Sequence, residues 1–569
     1  MKNLLYFLFP ALLMAFVWQS CWKDDAPPFF EPTAEVSFSG RVTDAQGQPV
    51  TDAAVRAGGA FAKTDENGIF RLQAVRLPAR DARLSVNKIG YFEFSRSYIV
   101  EEGATKLVEV QLVTRELVGT LNASAGGALT VPGGGKLDFP AGSVARPDGS
   151  VYNGTVRVFA HYIDPTSDNW YLQMPGDLRA LNLVGEEVGL VTFGMMAVEL
   201  ESNAGEPLQV AAGQTVEIRM PVQTDQNSAA PETIPLWWYD TDRSRWIEEG
   251  SAQRQGNEYV GRVNHFTWWN CDFPGERIQL SGQVFLGDLD HPLSGVHVWV
   301  CPQDASIGWG CGHGETDMGG NFAGGAPLGI PLEIRIDIFS GPCAGQTLYS
   351  QSIGPFSADT DLGAIIIPGD QLQPFIVSGR VVDCSQQAVT SGYARISSNG
   401  LTGYAFTDND GNFTHTFVCL PTPADVTVTA YNTALLLQSA PETFTNAVSP
   451  LATGNLETCN TLTEFIQYLL DGVSFVDADP AIEYWAPYTN IYGGQTPFFI
   501  SFSNNAQTGD FPVLGFSVGQ DSIGTPNITT TVTEFGNPGE HVIGSFNGTY
   551  QDIQGNNHTL SGSYKVLRQ

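Results

Sequence analysis

An all-β protein, a multidomain string of β-sandwiches behind a secretory leader, is what this sequence predicts, and three observations carry the reading. Glycine (62) and proline (34) are abundant while only 15% of the residues are charged, a composition suited to short strands and turns. Apolar and polar residues alternate with period two through most of the chain, as in half-buried strands. One block of sequence recurs three times. At 569 residues the chain is too long for one core and should hold about four domains. Only Leu462 to Leu470 hints at helical spacing, as one helical turn or an edge strand.

The N-terminus reads as a leader. Lys2 is followed by an apolar run from Leu4 to Val17, 14 residues long and short of the roughly 20 that span a bilayer as a helix. A small residue, Ser20, precedes Cys21, and a Pro-rich stretch follows. Residues 1–20 are therefore a signal peptide and 21–34 a flexible tether. The segment Cys21-Trp22-Lys23-Asp24-Asp25 resembles the lipoprotein export signal of Bacteroidetes, although Trp18-Gln19-Ser20 departs from the usual lipobox. That resemblance implies acylation at Cys21, with outer-membrane lipid as the partner and the outer face of the cell as the location. A single acyl chain holds a protein only marginally; the two or three chains of a lipoprotein cysteine suffice.

Charge narrows the partners. The whole chain carries −32, and losing the leader removes one Lys and no acid, giving −33. Such a surface repels phosphate backbones, so nucleic acid is not expected as a partner. Seven cysteines remain beyond Cys21, and in an exported protein they suit disulfides better than metal. Cys301 with Cys311 would close a local loop, and Cys384 with Cys419 or Cys459 a longer one. Spacing does not fix the connectivity, and the odd count leaves one thiol over. No CxxC pair occurs and the histidines are scattered, so no metal site and no cofactor is expected.

The recurring block begins at Ser39-Gly40, Ser281-Gly282 and Ser378-Gly379, each read as opening a strand. Each copy ends on Thr-Asp-x-x-Gly-x-Phe: Thr64, Asp65, Gly68, Phe70; Thr316, Asp317, Gly320, Phe322; and Thr407, Asp408, Gly411, Phe413. The Asp caps a tight turn with its side chain, the Gly supplies the positive φ, and the Phe faces inward on the next strand. Asp408 to Asn412 offers oxygen ligands but lacks the calcium-loop spacing and its terminal Glu, so it reads as a turn. The pattern resembles the carboxypeptidase regulatory-like domain, a transthyretin-like module, over 35–114, 276–368 and 375–458. That family implies a non-catalytic sandwich of a fold class that often binds glycans, and no catalytic residue is carried over.

Residues 115–275 form a different sandwich. Leu137-Asp138-Phe139-Pro140-Ala141-Gly142 and His265-Phe266-Thr267-Trp268-Trp269 resemble the sandwich domain of zonula-occludens proteins, netrin receptors and ankyrins. In some members the corresponding segment cuts itself; carried over, Thr267 would attack the Phe266 carbonyl with His265 as activator. The alternative places these residues on the last strand, Phe266 and Trp268 inward and His265 and Thr267 outward. The adjacent pairs Trp237-Trp238 and Trp268-Trp269 must each send one ring away from their own core, to a domain interface or to a ligand such as a glycan or a surface protein.

Residues 459–569 alternate throughout and read as an antiparallel sandwich or half-barrel, with Gly548, Gly555 and Gly562 at turns and Tyr564 to Leu567 in a terminal strand. No zinc-protease helix, phosphate loop or dinucleotide fingerprint occurs. The expectation is a non-enzymatic, lipid-anchored module that binds or spaces something outside the cell.

Overall fold

The computed structural model describes residues 32–568, apart from 168, 305–309, 318, 339–342, 344, 370–373, 436, 462–464, 472, 478–479, 494–497, 519–520, 523–525 and 553–556. The leader and Cys21 lie outside the described residues, as do Trp309 and Gly555.

Each repeat is a sandwich of two sheets. In the first, strand Thr33–Thr43 runs between Ile69–Pro78 and Ala104–Gln111, and the facing sheet carries four short strands from Ala54 to Tyr98. In the second, Arg277–Leu286 lies between Asn321–Pro327 and Thr360–Ile367; in the third, Phe375–Val382 lies between Asn412–Phe417 and Leu451–Glu457. Every central strand pairs antiparallel with the motif strand and parallel with the last strand of its unit. A parallel pair needs a crossover, so the chain must visit the other sheet in between.

Register explains why the two halves of the repeat travel together. Gly40 lies opposite Phe70, Gly282 opposite Phe322, and Gly379 opposite Phe413. A Cβ on Gly282 would sit 2.8 Å from the Phe322 ring, and one on Gly379 equally close to Phe413. The glycine therefore makes room for the ring. It lies within its strand, not at the opening where the sequence suggested. The turn chemistry is as expected: Asp65 accepts the amides of Asn67 and Ile69, Asp317 those of Gly319 and Asn321, and Asp408 those of Asp410 and Asn412. Gly68, Gly320 and Gly411 adopt φ of +74°, +75° and +78°, close under a carbonyl of the central strand.

Thirteen strands between Leu117 and Gly275 join in one continuous sheet curled around a core of its own, which includes Leu137, Phe139, Val156, Ile218, Leu236 and Trp269. Among the described residues the C-terminal unit is an antiparallel sheet of ten strands in which Asn557–Leu567 is zipped between His541–Gln551 and Phe465–Leu470. Phe465–Leu470 is thus an interior strand and not a helical turn, because Ile466 and Tyr468 alternate into the core. Gly548 and Gly562 are strand residues, not turn residues; Gly562 faces Phe546 and leaves space for its ring.

The units pack side by side. The first sandwich meets the middle unit through Phe92, Val113, Trp237, Tyr239, Trp246 and Trp268. Arg179, only 1% exposed, bridges the same seam to Asp177, Asp81 and the carbonyls of Arg80 and Ser97. A second seam joins the first and third sandwiches: Tyr393 donates to Asp65 at 2.6 Å and Arg71 to the Thr407 carbonyl at 2.8 Å. Phe61 against Phe475 brings in the C-terminal unit.

Candidate functional site

His265, Phe266 and Thr267 occupy the bend between strands Glu258–Val263 and Trp268–Gly275, so they precede the last strand instead of lying on it. Phe266 packs on the core against Phe139, ring centres 5.8 Å apart. His265 sits between Trp238 and Trp269, both with ring centres at 5.0 Å, and its Nε2 faces Glu249 at 3.5 Å. Burial lowers its pKa despite that carboxylate. The Thr267 hydroxyl donates to the Trp268 carbonyl at 3.1 Å. An attack on the Phe266 carbonyl needs a base on the hydroxyl, and here the imidazole and the hydroxyl are engaged with different partners. Intact mass of the purified protein should accordingly show a single species, unchanged by Thr267→Ala; two fragments meeting at Thr267 would reverse that expectation.

The paired tryptophans divide between two cores. Trp237 and Trp268 enter the seam with the first sandwich, while Trp269 and the half-buried Trp238 line the middle unit's own core. Trp237 Nε1 donates to the Asp272 carbonyl at 2.9 Å. Period two forces opposite directions on neighbours in a strand, and the outward ring of each pair is spent on domain packing.

Beside this strand the middle unit buries an acid. Asp272 is fully buried next to the free thiol of Cys271, its Oδ2 held by the Asn270 amide at 2.8 Å. Burial pushes its carboxyl up to about 8. An unfolded Asp titrates near 3.9. Between about pH 4 and pH 8 the folded chain therefore keeps a proton that the unfolded chain releases, and stability falls as pH rises through that window. Asp272→Asn should be more stable than the parent by about 1–3 kcal/mol at the alkaline end and close to it at the acid end. Denaturant unfolding at both ends measures this.

Where the first sandwich, the middle unit and the second sandwich meet, a cavity of about 540 Å³ is lined by Arg96, Tyr171, Arg277, Trp299, His313 and Glu315. His297 Nδ1 and His313 Nε2 share a hydrogen bond at 2.8 Å, and His313 packs at a tilt against Tyr171 with ring centres 3.7 Å apart. Burial first, then His297 and Arg96, lowers His313 to about 2; burial lowers His297 to about 4. Two neutral imidazoles can make this bond, one ring nitrogen donating its N–H to the other. Glu315 is raised well above its usual range, first by burial and then by Glu109.

Among the described residues the disulfides are Cys301–Cys311, Cys384–Cys459 and Cys343–Cys419, with Cys271 left over. The first is the local loop expected, and the second is one of the two longer pairings considered. The third, which staples the second sandwich to the third, was not foreseen. Sequence reading also passed over the Trp485 hairpin of the C-terminal unit, where Trp485 is 69% exposed and Tyr488 49%. Its signal was available: Trp485 falls in phase with Glu483 and out of phase with buried Ile482.

Known proteins can now be set beside this geometry. Cartilage intermediate layer protein 2 of Mus musculus is 31% identical over 165 residues, 27% of this chain and 14% of its own. Cartilage intermediate layer protein 1 of Sus scrofa is 30% identical over 121 residues, 20% of this chain and 19% of its own. The chain thus spans less than a fifth of the length of these relatives. Among solved structures, the shaft pilin of Lactobacillus rhamnosus GG matches 32% of this chain and 98% of its own at 11% identity, with a TM-score of 0.17. The TIE protein of Bacillus anthracis matches 64% of this chain and 70% of its own at 9% identity, with a TM-score of 0.15. The first sandwich is matched by a family model: residues 37–113 fit the carboxypeptidase regulatory-like domain.

Proposed function

We propose that this chain is an extracytoplasmic, non-enzymatic module, held at a cell surface by lipid on Cys21, that presents a binding surface on a stiff multi-sandwich scaffold. The carrying observation is the trio of disulfides, above all Cys343–Cys419, which ties two sandwiches into one piece. Disulfides persist in oxidising compartments and are rare in a reducing cytosol. Seams rich in aromatic rings and buried arginine add to that stiffness. The match of the first sandwich to a regulatory-like domain supports a scaffolding part over a catalytic one.

Two measurements on expressing cells test this reading. Metabolic labelling with an alkyne fatty acid should tag the protein, and Cys21→Ser should abolish the tag and release the chain from membranes. Protease added to intact cells should remove it. An untagged parent, or a chain found in the cytosol with reduced cysteines, overturns the proposal.

A further inference from the structure

The C-terminal unit carries a face that the seams leave open. Ala481–Trp485 and Tyr488–Tyr492 form a hairpin across Ala486-Pro487, continued by Phe498–Ser503 and Gly509–Val518. Ile482, Ile491 and Ile500 point into the core. By period two the intervening residues share the outer face, where Trp485 pairs with Tyr488, Glu483 with Asn490, and Tyr492 with Phe499. Ser501 extends the Glu483–Asn490 row, Ser517 ends the Tyr492–Phe499 row, and Gly515 keeps the surface low beside Phe499, where an added Cβ would come within 3.3 Å of the ring.

We infer that this outer sheet face, with Trp485, Tyr488, Tyr492 and Phe499 as stacking rings and Glu483 and Asn490 between them, binds a neutral polysaccharide. The inference rests on the reading of the chain as a surface binding module and names its ligand. The rings form two groups, Trp485 with Tyr488 and Tyr492 with Phe499, the latter 5.1 Å between centres. Four residues of strand, about 13 Å at about 3.3 Å each, separate Tyr488 from Tyr492. A protein partner calls for one contiguous apolar core ringed by polar groups. Here apolar and polar rows alternate, which suits a chain of rings that each have an apolar face and a hydroxyl edge. Amide, carboxylate and hydroxyl groups match sugar hydroxyls as donors or acceptors; Tyr492 already donates to Glu483 at 3.2 Å, holding that carboxylate in the row. Charge selects the class: a chain at −32 with a carboxylate on the face opposes uronic-acid and sulfated polymers.

The test is affinity electrophoresis of the full chain, with Cys21→Ser to keep it in solution, through gels containing neutral β-glucan, mannan, xylan or xyloglucan, and heparin as the anionic control. At least one neutral polymer should retard it, and Trp485→Ala and Tyr488→Ala should each weaken that retardation by about tenfold or more. Trp485→Phe should retain most of it, and Trp238→Ala should leave it unchanged. Both mutated rings are largely exposed, so the melting temperature should hold. Retardation by no neutral polymer, by heparin alone, or equally in parent and Trp485→Ala overturns the inference, as does a protein partner lost on Trp485→Ala without any sugar effect. The lipid-labelling result stands apart from all of these outcomes.

Discussion

Phe322→Ala should cost the second sandwich about 3–5 kcal/mol, and Gly282→Ala about 1–3 kcal/mol, yet the pair should cost clearly less than the sum. Phe322 is buried beside its register partner Gly282, whose added Cβ would meet that ring at 2.8 Å and, less closely, the Gly363 carbonyl at 3.2 Å. Deleting the ring leaves space the new methyl can occupy, so the coupling should reach about 1 kcal/mol or more in favour of the double variant. Amide exchange in strands Arg277–Leu286 and Asn321–Pro327 reads this locally, which matters in a chain with several cores. The first sandwich supplies the contrast. A Cβ on Gly40 would lie 2.0 Å from the Val108 carbonyl, which is backbone and remains when Phe70 is cut to Ala. Coupling between Gly40→Ala and Phe70→Ala should therefore be much smaller; equal coupling at both sites would refute the role given to the ring.

Trp237→Ala should be nearly as damaging, about 3–5 kcal/mol, while its neighbour Trp238→Ala should cost far less. Trp237 is fully buried in the seam with Phe92 and Val113, and its indole N–H is bonded. Trp238 is half-buried over His265. Loss of Trp237 should also loosen strand Phe94–Tyr98 of the first sandwich, because Ser95 there accepts the hydroxyl of Tyr239, two residues further along. Denaturant midpoints with amide exchange distinguish the two variants. Equal costs for Trp237 and Trp238 would mean that the seam is not formed.

How much of this was legible depended on the range of the interactions. The all-β class, the inward Phe and the Asp-Gly turns rest on period two and on turn geometry, both local. The partnership of Gly40 with Phe70 is a register fact, spanning 30 positions, and no pattern within a strand reveals it. The helical spacing near Leu469 misled because Leu469 faces outward, 46% exposed, and contributed an apolar letter to the wrong face. Trp237 and Trp268 were recognised as sending rings out of their own core, but whether toward a neighbour or toward solvent is settled by docking between units. Trp485 escaped notice because an exposed ring carries no mark in the sequence until its strand's inner face is known.

The two long disulfides overlap along the chain, since 343–419 and 384–459 share the stretch between 384 and 419. Any single hydrolytic cut from residue 343 to residue 459 is thus spanned by at least one sulfur bridge. A molecule nicked there by a neighbour's peptidase would shed nothing, and the clip would become visible only on a reducing gel.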